Sequence, residues 1–219
     1  MVDDKSLRQA VIDELNFEPS VEAAHIGVST EKGVVTLSGH VSSYAEKIAA
    51  ERAAQRVRGV QAIAQEVEVR YPEDKKTSDD EIARRAVQII AWHAAIPQGA
   101  VQVKVQGGWV TLTGTVAWQY QRASAEAAVR KLSSVIGVTD NIELRASGVA
   151  HASDIERHIK DALRRNADLK AQGIRVDVKG GSTVRLEGKV HSWNERRLAE
   201  RAAWSVPGVR TVEDRLTVA

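Results

Sequence analysis

Six histidines, His25, His40, His93, His151, His158 and His191, are the side chains of this 219-residue chain best able to move a proton near neutral pH or to hold a metal ion. They fall at unrelated places along the chain and no two stand at HExxH or a similar ligand spacing, so neither a metal site nor a catalytic residue is expected from them. The chain has no cysteine, which removes thiolate ligands, a thiol nucleophile and disulfides. Gly181 to Lys189 superficially resembles a phosphate loop, but six residues separate its glycines, Val190 replaces the Ser or Thr such a loop needs, and the stretch reads as strand. No enzyme activity and no cofactor are expected.

A different chemistry, attraction to an anionic surface, has better candidates. Arg157, Lys160 and Arg164 are spaced i, i+3, i+7, which sets them on one outward stripe about 180° from Ile155 and Ile159. Such a stripe is either a solvated helix face or a contact with lipid phosphates, the latter worth on the order of 1 kcal/mol per basic residue. Trp92 ends a helical stretch that also carries Arg84, at the flank of the apolar stripe. Its ring either closes the edge of the core or anchors in a lipid headgroup region beside Arg84. Phe17 is its counterpart earlier in the chain, and Arg165 or Asn166 stands there later. Tyr44, Trp118 and Trp193, just after the signature strand, cover either the start of the second helix or the seam between domains, and the seam is expected. Nucleic acid is not an expected partner, because the chain lacks a dense Lys/Arg run and its aromatics are not interleaved with basic residues.

These residues are positioned by a unit written three times. VVTLSGHV (34 to 41), WVTLTGTV (109 to 116) and TVRLEGKV (183 to 190) place Gly39, Gly114 and Gly188 75 and then 74 residues apart. Each unit opens with a helix whose apolar residues lie four apart: Leu7, Val11, Leu15; Ile82, Ala86, Ile90; Ile155, Ile159, Leu163. Ser6, Asp79 or Asp80, and Ser153 or Asp154 are the candidate helix caps. A loop with one apolar anchor (Val21, Ile96, Leu169) leads to a short strand and a glycine hairpin. In the strand that follows, Val35, Leu37, Gly39 and Val41 alternate with polar residues, so the glycine is expected on the buried face, admitting a helix or a bulge. A second helix follows, with Ala49, Ala53 and Val57 matched by Leu198, Ala202 and Val206. Gly59 and Gly208 then end the helix at C′ ahead of a last strand. In the second unit Ser134 replaces that glycine and Gly137 is displaced by three residues.

The order helix, strand, strand, helix, strand predicts an α+β fold: three tandem small αββαβ domains, each a three-stranded mixed sheet with two helices packed on one face. The short connectors are Tyr71 to Thr77 and Ala146 to Ala150. Charge is graded along the array, net −3 over residues 1 to 72, −2 over 73 to 80, +3 over 81 to 147 and +4 over 148 to 219, so an anionic partner should prefer the later domains. Met1 to Ser6 is acidic and carries no basic or apolar leader segment, so a cytoplasmic location is expected, with the periplasm as the alternative if a leader has been removed. The most apolar stretch, Ala86 to Ile96, is far short of the roughly 18 residues that cross a bilayer, and no transmembrane helix is expected.

The V-x-L-x-G-x-V strand, Val35 to Val41 and its two copies, together with Gly59-Val60 and Gly208-Val209, resembles the BON domain, a bacterial module named for osmotically inducible and nodulation proteins. The resemblance covers nearly the whole chain as domains 1–71, 78–146 and 151–219. It makes Gly39, Gly114, Gly188, Gly59 and Gly208 a structural signature. It implies a module of envelope and stress proteins with no catalytic activity known for the family as a whole, whose commonest proposed role is binding anionic phospholipid. The expected function is therefore a non-enzymatic, stress-associated protein that attaches peripherally to anionic phospholipid membranes through domains 2 and 3. Arg84, Trp92, Arg157, Lys160 and Arg164 are its candidate lipid contacts. The alternative, taken from a relative that senses potassium, is a cytoplasmic potassium-responsive sensor or protein-interaction scaffold.

Overall fold

Leu7, Val11 and Leu15 are fully buried along one side of helix α1 (Asp4–Phe17), and the same spacing buries Ile82, Ala86 and Ile90 on α3 (Asp79–Trp92) and Ile155, Ile159 and Leu163 on α5 (Ala152–Arg165). The computed structural model describes residues 3–72, 76–145, 151–166 and 173–218. The expected anchor Leu169 and the connectors at Glu73-Asp74-Lys75 and Ala146 to Ala150 lie outside them.

In the first repeat α1 is followed by β1 (Ile26–Glu31), β2 (Val34–Val41), α2 (Tyr44–Arg56) and β3 (Ala62–Val69). The second continues α3 with β4 (Val101–Gln106), β5 (Trp109–Val116), α4 (Gln119–Val129) and β6 (Gly137–Leu144). The third continues α5 with β7 (Ile174–Lys179), β8 (Thr183–Val190), α6 (Trp193–Trp204) and β9 (Thr211–Val218). Each sheet has three strands with the signature strand in the middle. In the first and third it pairs antiparallel with the strand before it and parallel with the strand after it. These are the mixed αββαβ units that the sequence predicts. The chain divides into two compact units, Met1–Gly114 with Arg122–Ile142, and Thr115–Gln121 with Glu143–Ala219.

Helix α1 packs on β1 and on α2, and α2 packs on β2 and β3, so the core lies between one sheet face and two helices. A strap ties the second helix to the last strand. Arg122 Nε donates to Asp140 at 2.7 Å and Arg196 Nε to Asp214 at 2.6 Å, each pair mostly buried, while Gln65 Nε2 donates to the Lys47 carbonyl in the first repeat. The third hairpin holds one residue more than the others. Lys179 pairs with Thr183 across Gly180, Gly181 and Ser182, whereas Glu31 pairs with Val34, and Gln106 with Trp109, across two residues.

The structure corrects several local expectations. The N-caps are Asp3, Ser78 and His151, each one residue before its helix. Asp4 and Asp79 lie inside their helices and clamp the hairpins: Asp4 accepts from the Lys32 and Gly33 amides, Asp79 from those of Gly107 and Gly108. The buried stripe of α2 runs through Glu46, Ala50, Ala53 and Ala54, and that of α6 through Ala199 and Ala203, one residue on from Ala49 and Leu198. Glu46 is buried because its carboxylate closes a capping box, accepting from the Glu22 and Ser42 amides while Ser43 Oγ accepts from its own amide.

The signature glycine is not a buried-face residue that admits a helix. Gly39 is exposed, its φ is +104°, and a Cβ there would overlap the His25 carbonyl oxygen; Gly114 and Gly188, partly buried, repeat the positive φ and the overlap, against the Ala100 and Gly173 carbonyls. Gly59 and Gly208 lie past the helix caps, Val57 and Ser205, and hold left-handed turns into the last strands at φ +96° and +94°. Ser134 takes the same turn at φ +66°. Gly137 is not a displaced turn glycine: it opens β6 beneath the Trp109 ring, where a Cβ would come 2.5 Å from Cζ3.

Candidate functional site

The last residue of α3 is Trp92, and the helix reaches it through Ala86-Val87-Gln88-Ile89-Ile90-Ala91 with no charge after Arg85. Ile82, Ala86 and Ile90 are spent on the core, which leaves the opposite side of the helix to Arg84, Val87, Gln88 and Ala91. Val87 is 55% exposed and Trp92 is 89% exposed. The indole does not close the core; it stands in solvent at the end of a helix whose outer side carries no charge over its last two turns, with Val87 and Ala91 flanking Gln88. Phe17, in the same place on α1, is 82% exposed. Ile12, Asp13 and Asn16 occupy the positions of Val87, Gln88 and Ala91 there, so the first copy keeps the aromatic and one apolar neighbour but adds a charge to the outer side. The third copy ends in Arg165.

The basic candidates are exposed, and each has an intrahelical partner. Arg84 pairs with Asp80 at 3.0 Å and Glu81 at 2.8 Å. Arg157 pairs with Asp154 at 2.8 Å, Lys160 with Glu156 at 2.5 Å and Arg164 with Asp161 at 3.8 Å. Hydrogen bonds from Arg85 and Arg84 hold the Glu81 carboxyl below its ordinary range, and the Ser78 hydroxyl, with Arg84, does the same for Asp80. Exposed i,i+3 and i,i+4 pairs of this kind are weak enough to be exchanged for a phosphate contact. The stripe Arg157, Lys160, Arg164 faces outward as its spacing predicts, but three carboxylates on the same helix match its three charges.

Of the remaining aromatics, Tyr44 is half-buried beside the Val138 backbone and Tyr71 donates to the Val135 carbonyl at 3.0 Å, so both join the first repeat to the second within the first unit. In the second unit Trp118 lines a small cleft with Trp204, Val206, Pro207 and Val209, and Trp193 carries the Arg196 guanidinium 5.0 Å above its ring. The His25 and His40 rings lie 4.7 Å apart. Among the described residues no group of three His, Asp or Glu side chains is placed to hold a metal ion, and no helix is long and apolar enough to cross a membrane.

Sequence reasoning singled out Trp92 and Arg84 but passed over Val87 and Ala91. The signal was present: Gln88 alone interrupts an apolar run too long to be buried on one helix side.

The BON domain model matches residues 3–71, 78–146 and 151–219. Osmotically-inducible protein Y of Escherichia coli strain K12 is 28% identical over 153 residues, which cover 66% of this chain and 74% of that protein. Among solved structures, CdsD, a structural protein of the type III secretion system of Chlamydia trachomatis, matches over 96% of this chain and 91% of its own at 11% identity and a TM-score of 0.27. Its C-terminal domain matches over 100% of both chains at 13% identity and the same TM-score. Likenesses that low bear on neither fold nor function. Three matches to one domain model, spanning nearly all of the sequence, place this chain in the BON domain family.

Proposed function

We propose that this protein is a non-enzymatic, stress-associated factor that attaches peripherally to anionic phospholipid membranes, with α3 of the second repeat as its insertion element. The observation that carries the reading is Trp92, 89% exposed at the end of a helix whose outer side bears no charge beyond Arg84 and Arg85. An indole of this kind rests at the headgroup level, with its apolar body toward the acyl chains and its N–H toward water. The link to osmotic stress rests on the printed name of the Escherichia coli relative.

Magnitudes rank the parts. Burying an indole removes about 150–250 Å² from water, an upper estimate of about 4–6 kcal/mol at 25 cal/mol per Å². Arg84, Arg157, Lys160 and Arg164 supply at most about 1 kcal/mol each, less what is lost when their ion pairs open. Insertion is therefore the larger contribution, and charge adds orientation and salt sensitivity. Phe17 offers a second, weaker anchor in the first repeat.

Co-sedimentation with vesicles containing phosphatidylglycerol tests the reading. Trp92→Ser is expected to lower the bound fraction at least about tenfold in partition coefficient, a change of about 1.4 kcal/mol, with the thermal midpoint unchanged because the ring supports no packing. Equal binding by the variant contradicts it.

A further inference from the structure

On the solvent face of the second sheet the antiparallel register sets Gln106 opposite Trp109 and Lys104 opposite Thr111. Strand alternation points all four side chains outward, and with Gly107 and Ile136 they line a cleft of about 410 Å³. That is the size of a small-ligand site.

The indole in this cleft is held still. Trp109 Nε1 donates to Thr139 Oγ1 at 2.8 Å, and the ring lies over Gly137, where any side chain would strike it. The ring nevertheless remains 47% exposed. The side chains beside it are uncommitted, since Lys104, Gln106 and Thr111 make no hydrogen bond or ion pair with the described residues. Among the described residues Lys104 is the one charged group in the lining.

The fold does not require this arrangement. The first repeat has Val34 opposite Glu31 and Thr36 opposite Ser29; the third has Thr183 opposite Lys179 and Arg185 opposite Asp177. The glycine beneath the ring is likewise confined to this copy, because Ala62 and Thr211 open the last strands of the others. Two departures, Trp109 and Gly137, coincide in one repeat, and their joint effect is a rigid aromatic face open to solvent. A fixed ring loses little freedom when a ligand settles on it.

We propose that this cleft binds a sugar ring of an acidic oligosaccharide. One face of a pyranose is a patch of weakly positive C–H groups, the complement of the negative π-face of an indole. Its hydroxyls need neighbours that both donate and accept, which the Gln106 amide and the Thr111 hydroxyl are. Lys104, with no carboxylate among the described residues of the lining, favours a ring that bears one. This site is separate from Trp92 and does not depend on the membrane reading.

Calorimetric titration of the intact chain with tetragalacturonate, maltotetraose and anionic vesicles tests it. Tetragalacturonate is expected to bind, and more tightly than maltotetraose. Trp109→Val installs the residue of the first repeat and should lower that affinity about tenfold or more with circular dichroism unchanged. Should Trp109→Val unfold, Gln106→Ala, on the open face, should lower it by severalfold. Lys104→Gln should bring the two sugars to similar affinity, and Trp92→Ser should leave sugar binding intact. The proposal is overturned if tetragalacturonate does not bind, if maltotetraose binds equally well, if neither Trp109→Val nor Gln106→Ala weakens it, or if Trp109→Val abolishes vesicle binding and leaves sugar binding unchanged.

Discussion

The hydroxyl oxygen of Ser134 accepts a hydrogen bond from the backbone N–H of Thr77 at 2.8 Å, tying the start of the second repeat to the turn that precedes its last strand. Ser134 holds this place at φ +66°, where Gly59 and Gly208 stand in the other copies. A side chain in the left-handed region costs about 1–2 kcal/mol, and a partly buried amide left without a partner costs about 1–3 kcal/mol. The two nearly cancel, which explains why one copy can depart from glycine.

Ser134→Ala keeps the strained backbone and loses the acceptor, so a loss of about 1–2 kcal/mol is expected in denaturant unfolding. Ser134→Gly loses the acceptor and relieves the strain, and should lie within about 1 kcal/mol of the parent. An alanine variant as stable as the glycine variant contradicts this account.

The signature glycine makes a sharper contrast within the third repeat. Gly180 and Gly188 both have positive φ, +55° and +134°, but a Cβ meets nothing near Gly180 and overlaps the Gly173 carbonyl at Gly188. Gly180→Ala should cost about 1 kcal/mol, and Gly188→Ala about 3 kcal/mol or more, because the strand must shift as well as strain. Similar unfolding midpoints for the two would show that conformation alone, without the carbonyl behind it, sets the glycine requirement.

Alkaline stability should depend on Tyr44 and Tyr71. Burial raises both phenols above the ordinary value of 10.0, with nearby backbone groups offsetting part of the rise. The folded state thus favours the neutral phenol, and the unfolded chain ionises first. Their contribution is complete below about pH 10 and is lost as pH rises through the folded-state pKa. Tyr71→Phe also removes the hydrogen bond to the Val135 carbonyl, so it should be less stable than the parent at pH 8 and should lose less between about pH 10 and 11. Parallel thermal midpoints over that interval would contradict the assignment.

The outward stripe of α5 should be a minor contributor to attachment. Each of its charges is matched on the helix, so Arg157→Glu with Lys160→Glu and Arg164→Glu should change vesicle binding less than Trp92→Ser does, and mainly below physiological salt. A larger loss in the triple variant would move the site to the third repeat.

Much of the architecture was legible because three copies repeat the period of each element. The stripes Leu7-Val11-Leu15, Ile82-Ala86-Ile90 and Ile155-Ile159-Leu163 are buried as read, and the elements follow one another in the predicted order. What the sequence hid was register and reach. Asp79 looked like a cap, yet its carboxylate spans to Gly107 and Gly108. Gly39 fell on the buried parity of its strand, but its positive φ sets the place of a side chain against the His25 carbonyl and leaves the residue exposed. Trp109 matched Val34 and Thr183 in the alignment of the copies, so its contact with Gly137, which only strand pairing creates, went unseen. Sameness between copies reports packing; the sites argued above lie where one copy differs.

On an anionic membrane α3 is expected to enter the headgroup layer through Trp92. Because the chain has no cysteine, Ala91→Cys can be labelled at one place with an NBD fluorophore beside the indole. On adding phosphatidylglycerol vesicles, its emission should shift to the blue and be quenched by spin-labelled acyl chains, and adding Trp92→Ser should remove both changes. A fluorophore that stays solvent-exposed while the protein sediments with the vesicles would contradict the account.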